Sequence, residues 1–344
     1  MSLYPLRFVP RFVEKIWGGR KLQTLLGKAL PQNAPVGESW ELYDFPPGLV
    51  EAGSSWTSSV VAEGPLAGRS LHELLERFGP DLHGDVPLIT TEAGPQFPLL
   101  VKYLDAREDL SLQVHPDAAY AAAHPGAHLK TEAWYILQNE PGARIYKGVR
   151  TGVTRDRFAA ALADDSVMDL VEAVEVKPGE CHFLPSGTLH ALGAGILVAE
   201  VQTPSDTTFR VFDFNRVEPA TGRPRRLHVR EALECIRFEP ADPPQPRRHV
   251  AGHFTTVSRL CACDFFTIEK VRFSEGIREK LPYDQPVVWM MLQGECELSV
   301  GGVDTPTLLR RGDTALLPAA MKTPILTARS DCVWLEITFG KGRR

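Results

Sequence analysis

Four residues on three short segments have the donor types that one divalent metal needs. Gln113 and His115 flank Val114, Glu132 closes Lys130-Thr131-Glu132, and His190 closes Pro185-Ser186-Gly187-Thr188-Leu189-His190. Gln113 and His115 are two residues apart, so on a strand their side chains share a face. A lone histidine would mean little. This set lies in strand-like runs with turn signals between them, so two imidazoles, a carboxylate and an amide can converge.

The elements that must position them can be read next. The third segment has the strictest spacing: Gly179, five residues, Pro185, one residue, Gly187, two residues, His190. It predicts a strand over 181–184, a tight Pro/Gly turn and a return strand carrying the ligand. Gly187 supplies the positive φ that the turn needs. An ordinary hairpin with an incidental histidine would have the same grammar, and the company of Gln113, His115 and Glu132 favours the metal. The spacing resembles the second signature motif of the cupin superfamily.

Elsewhere, strands are expected at 97–104, 110–114, 134–137 and from Val174 onward. Residues 70–78 have helical periodicity, with Leu71, Leu74, Leu75 and Phe78 on one face. A short helix is expected at 116–123, and Thr154 caps a helix whose pattern continues through 159–162 and 167–171. The segment 240–246, Pro-Ala-Asp-Pro-Pro-Gln-Pro, reads as a linker and the best domain boundary. A weak repeat links the halves: W-x-x-L-Q occurs at Trp134 and Trp289, and G-x5-P at Gly179 and Gly312. Val287 then stands where Glu132 stands, and Thr323 where His190 stands. The expected fold is mainly β: two cupin-type (jelly-roll) β-barrels with a few helices inserted in the N-terminal half. Residues 1–240 would form the catalytic domain and 241–344 a barrel without a metal site.

The chain has 344 residues, 43% of them hydrophobic and 24% charged, which suits a soluble globular protein of two domains. A formal net charge of −5 argues against nucleic-acid binding but not against an anionic small substrate at a locally positive site. Residues 1–17 carry Arg7, Arg11, Glu14 and Lys15 and do not read as a signal peptide. No apolar run approaches the roughly 20 residues of a membrane span. The six cysteines include no CxxC pair. Cys261-Ala262-Cys263 reads more readily as small residues in a strand than as a metal or redox pair. A cytoplasmic location is expected.

Several blocks together resemble the type I mannose-6-phosphate isomerases (phosphomannose isomerases) in their short bacterial form. They are 97–102 (FPLLVK), 110–116 (LSLQVHP), 130–135 (KTEAWY), 185–191 (PSGTLHA), 205–211 (SDTTFRV) and Ile16-Trp17-Gly18-Gly19. The resemblance spans nearly the whole chain. It implies a zinc-dependent cupin enzyme with one Zn²⁺ per chain on Gln113, His115, Glu132 and His190, and an active-site arginine at Arg210. The implied substrate is a phosphosugar, with no nucleic-acid or membrane partner, and the chain a monomer or small homo-oligomer.

Aldose–ketose isomerisation moves a proton between C1 and C2 through a cis-enediol. It needs a base near C2 and a charge that stabilises the developing oxyanion. A metal with an open position, and a guanidinium, both suit that task. Lys130 and Glu200 are the nearest candidates for proton handling. Lys130 could instead be a solvated lysine, and Glu200, at the end of an apolar run, a paired carboxylate. Arg216, six residues after Arg210, could bind phosphate or lie on the surface. Trp17 could wall a sugar site or be core, and Ser111 is a substrate-binding candidate. His182, His124 and His128 read as structural or exposed. Two other functions compete. A non-catalytic sugar-binding or regulatory cupin would not need cations beside the metal. An Fe(II) dioxygenase would favour more histidines or a facial triad.

Overall fold

A computed structural model describes residues 2–50, 55–218, 221–303 and 305–340. Every strand pairing among them is antiparallel, and the architecture is mainly β, as expected. In the N-terminal half one sheet runs in the order Cys181–Leu184, Glu132–Asn139, Ile196–Gln202, Leu100–Ala106, Arg11–Gly19, Val36–Leu42. The facing sheet runs Val171–Glu175, Arg144–Val149, His190–Leu192, Leu112–Val114, Phe209–Phe212. The strands Val36–Leu42, Leu100–Ala106 and Ile196–Gln202 are buried along their whole length, so both faces are covered. Their polar residues must therefore be paired or functional.

The C-terminal half repeats the plan. Its larger sheet contains Thr314–Leu317, Val287–Gln293, Cys332–Phe339 and Phe266–Phe273 in the order of the first four strands above. The register agrees: Trp134 faces Glu200 across one pair of strands, and Trp289 faces Glu336 across the equivalent pair. Glu132 faces Leu184, and Val287 faces Leu317. The halves are also stitched together. The N-terminal strand Leu6–Arg7 pairs with Thr314–Leu317, and one apolar cluster combines Tyr103, Ala199 and Val201 with Ile268, Met290 and Leu335.

The helix Leu71–Phe78 begins with a capping box in which Ser70 accepts from the Glu73 backbone and Glu73 accepts from the Ser70 backbone. Thr154 caps Arg155–Ala163, as expected. The helical pattern read through 167–171 is corrected. The helix stops at Ala163, because Asp164 accepts from the Ser166 backbone and hydroxyl and Asp165 adopts a left-handed φ of 62°. Only a 3₁₀ turn, Val167–Leu170, follows, and the strand starts at Val171, which pairs with Val149, not at Val174. The short helix after Pro116 spans Ala118–Ala123 and is capped by Asp117.

Candidate metal centre and active site

His190 opens its strand directly opposite Gln113, and Gln113 lies opposite Arg210 on the other side. Three candidate site residues therefore form a row across one sheet. The facing sheet supplies Glu132. The turn between Leu184 and His190 has the predicted form: Thr188 N–H donates to Pro185 O at 3.1 Å, and Gly187 has φ +81°. Gly187 N–H also donates to His115 O at 2.9 Å, tying the two histidine segments together. A Cβ at Gly187 would lie 2.9 Å from Arg237 Cγ and 3.1 Å from Cys235 O. Gly187→Ala should therefore cost about 1–3 kcal/mol through the left-handed φ and the contact, and loosen the ligand set. A fall in Tm together with weaker metal retention checks this; an unchanged Tm would contradict it.

The ligand atoms of His115, Glu132 and His190 all lie within 4.8 Å of one another, and the three residues are buried. Among the described residues no other group of three His, Cys, Asp or Glu is so placed. His190 Nε2 is 3.1 Å from Glu132 Oε1, and His115 Nε2 is 3.5 Å from Glu132 Oε2. The far ring nitrogens donate to backbone carbonyls, His190 Nδ1 to Thr188 O at 2.8 Å and His115 Nδ1 to Thr207 O at 3.0 Å. That fixes the tautomer and turns both Nε2 lone pairs inward. Burial and the neighbouring Lys130 push His115 down to about 3, so it stays neutral at ordinary pH. Burial alone would raise the Glu132 carboxyl, but Lys130 and the two histidines hold it well below the usual carboxylate range. Both Glu132 oxygens are buried without a hydrogen-bond partner. A buried carboxylate whose neighbours are the Lys130 ammonium and two inward lone pairs fits a cation. Gln113 borders the group, its Nε2 3.4 Å from His190 Nε2, and a half-turn of the amide would present Oε1 instead.

Lys130 touches the same atoms: its Nζ is 2.8 Å from Glu132 Oε2 and 3.0 Å from His115 Nε2. It is buried, not solvated. Above the ligands opens a cavity of about 250 Å³, whose walls include Gln113, Lys130, Trp134, Glu200, Ser111, Arg210 and Trp17. The three ligands lie behind that wall: Trp134 packs edge-on to His190 at 5.4 Å. A larger groove of about 940 Å³ lies beside the strand Arg11–Gly19, but no ligand residue lines it.

The walls carry a row of charges. Glu200 Oε1 is 3.1 Å from Lys102 Nζ, and Glu200 Oε2 accepts from Trp134 Nε1 at 2.8 Å. Burial and the Glu132 charge raise the Glu200 carboxyl, and Lys102 offsets this only in part. Burial would lower Lys102, but Glu200 and Glu38 outweigh it and hold the ammonium above the usual lysine range. Arg210 Nε donates to Ser111 Oγ at 3.1 Å, and its NH1 donates to Arg226 O at 3.0 Å. Among the described residues no carboxylate pairs with Arg210. Burial and the nearby Arg225 lower its pKa.

Arg216 lies apart from this constellation. Its NH2 is 2.6 Å from Asp213 Oδ1, its NH1 donates to Asp109 O, and it does not line the cavity. Arg225 lines it instead and shares Asp213, at 2.5 Å. Arg225, His228, Lys102, Glu38 and Lys15 were not picked out from the sequence, yet all five line the cavity. Lys102 had a signal: one lysine inside the otherwise apolar run 97–104. Of the histidines set aside, His182 lies 3.3 Å from Glu180 and outside the ligand group.

A barrel with a buried His/Glu/His group behind a charged cavity is the arrangement of a cupin-type metal site. The family model for the phosphomannose isomerase type I catalytic domain matches residues 6–144. The chain is 34% identical to the mannose-6-phosphate isomerase ManA of Bacillus subtilis, covering 97% of this chain and 99% of that one. It is 34% identical to the mannose-6-phosphate isomerase of Streptococcus mutans over 93% of this chain and 94% of that one. The crystal structure of a mannose 6-phosphate isomerase from Bacillus subtilis superposes with a TM-score of 0.85 at 30% identity, covering 97% and 99% of the two chains. The chain belongs to the mannose-6-phosphate isomerase family, and it is an isomerase. Among the described residues no helix is long and apolar enough to cross a membrane.

Proposed function

We propose that this chain interconverts mannose 6-phosphate and fructose 6-phosphate through a cis-enediol, at one zinc site per chain formed by Gln113, His115, Glu132 and His190. The observation that carries the reading is the buried Glu132 carboxylate facing two oriented imidazoles, all three ligand atoms within 4.8 Å of one another. The nitrogen and oxygen donors suit zinc. When bound, the ion polarises a sugar oxygen and so favours the developing enediolate.

The remaining steps fall to side chains. Glu200, a buried carboxylate raised above its usual range, is suited to take the proton from C2 and return it at C1. Lys130 is placed beside the same centre to donate to a sugar oxygen. Arg210 lies across from Gln113, held by Ser111, and supplies charge to the oxyanion. Beside Arg210, Arg225 lines the cavity and shares the single carboxylate of Asp213 with Arg216, which leaves surplus positive charge. With His228, Arg225 suits the phosphate dianion. Trp17, 3% exposed, walls the sugar and excludes water.

We further divide the chain into residues 1–240, which hold the chemistry, and 241–344, a barrel that binds no metal. Supporting this, Val287 occupies the Glu132 register. The reading is tested by incubating the purified chain with mannose 6-phosphate and following fructose 6-phosphate. Sustained conversion is expected. Sugar-phosphate binding without turnover would favour a regulatory cupin.

A further inference from the structure

Lys102 stands between two carboxylates, and only one has a place in the proton transfer described above. Trp40, Lys102 and Glu200 are in register on three neighbouring strands. Glu38, two residues before Trp40, shares its face and reaches Lys102 on the diagonal. Lys102 Nζ is 3.1 Å from Glu200 Oε1 and 3.4 Å from Glu38 Oε2. Glu38 is pinned at both oxygens: Trp40 Nε1 donates to Oε2 at 2.7 Å, and Lys15 Nζ is 3.0 Å from Oε1. Gly37 leaves room for this, since a Cβ there would lie 2.6 Å from Trp17 Cζ3 and 2.7 Å from Lys15 Cβ.

We propose that Glu38 is a positioning residue for the isomerisation: by taking the hydrogen bond of Lys102 it turns that lysine's N–H away from Glu200, so Glu200 Oε1 stays available to the sugar. The proposal rests on the isomerase reading. A lysine alone with one buried carboxylate forms a close pair that quenches the carboxylate as a base. Here Lys102 donates its hydrogen bond to the fixed Glu38 Oε2, and Glu200 Oε1, though 3.1 Å from the same ammonium, accepts none. Around Glu200 the other charged groups are Glu132 and Lys130, with Asp206 acting on Lys102 from the cavity wall. None of these draws the lysine in the direction of Glu38.

The C-terminal barrel provides an internal contrast. Glu336 occupies the Glu200 position, in register with Trp289. The residue across from it on the next strand is Glu269, not a lysine. There Oε2 of the carboxylate accepts from both Tyr283 Oη and Trp334 Nε1, the latter at 3.3 Å. The shared lysine thus accompanies the cavity and not the fold.

The test uses the full chain, and the unmodified chain in the same assay first establishes turnover of mannose 6-phosphate; its absence would remove the isomerase reading itself. Glu38→Gln should lower kcat about 10- to 100-fold, as loss of outer-shell support does at metal sites, with KM and metal content unchanged. In a Lys102→Met background the same substitution should cost nothing more, because the lysine it acts through is gone. Lys15→Met, at a side chain 34% exposed, frees one Glu38 oxygen and should lower kcat a few-fold at constant KM. An unchanged kcat in Glu38→Gln, or an equal loss in both backgrounds, overturns the proposal. If Glu38→Gln does not fold, a wild-type kcat in Lys15→Met overturns it.

Discussion

His190→Ala is expected to reduce metal content from one ion per chain towards zero and to lower mannose 6-phosphate turnover by about 10³ or more. Loss of a bound ion removes several kcal/mol of charge stabilisation, and each ~1.4 kcal/mol is tenfold in rate. His190 is 1% exposed, opens its strand opposite Gln113, and is locked by Thr188 O. Nothing adjacent can swing in to replace it, because His115 is itself locked by Thr207 O. Elemental analysis and the isomerase assay on the same preparation check this, with circular dichroism to show that the barrel persists. A variant that kept its ion and its rate would remove His190 from the ligand set.

Arg210→Ala should lower turnover by about 10²–10³ while leaving the metal and the fold in place. Asp206 and Asp213 are the carboxylates nearest to this arginine in sequence. Asp213 is occupied by Arg216 and Arg225, and Arg210 is held by a serine hydroxyl and a backbone carbonyl. An arginine stationed that way beside a cavity has charge to offer an anion. Arg210→Lys retains the charge but loses the planar fork and the Nε contact with Ser111, so it too should be impaired. Near-normal kcat and KM in Arg210→Ala would make the residue structural and assign the oxyanion to another cation.

The motif residues were legible because short-range rules govern them. A two-residue spacing on a strand, and a Pro/Gly turn with a positive-φ glycine, fix Gln113, His115 and His190 almost regardless of context. The repeat was legible for a related reason: the same W-x-x-L-Q strand takes the same central place in each barrel. What the sequence did not disclose depends on long-range register. Glu38 and Lys102 are 64 residues apart and meet only because their strands are neighbours in the sheet. Arg216 and Arg225 look alike in sequence, and which of them faces the cavity is decided by how each approaches Asp213. The pairing of Leu6–Arg7 with the C-terminal barrel is invisible to local patterning. The end of the helix at Ala163 was missed because Asp164 and Ser166 bond to each other rather than to the helix, while the hydrophobic period runs on past them.

The most direct measurement is isomerisation of mannose 6-phosphate by the purified chain as prepared, after stripping with a chelator, and after stoichiometric zinc is restored. Conversion to fructose 6-phosphate, loss of nearly all of it on stripping, and recovery that saturates at one zinc per chain are expected. Undiminished turnover by the stripped chain, or saturation only at two ions per chain, would contradict it.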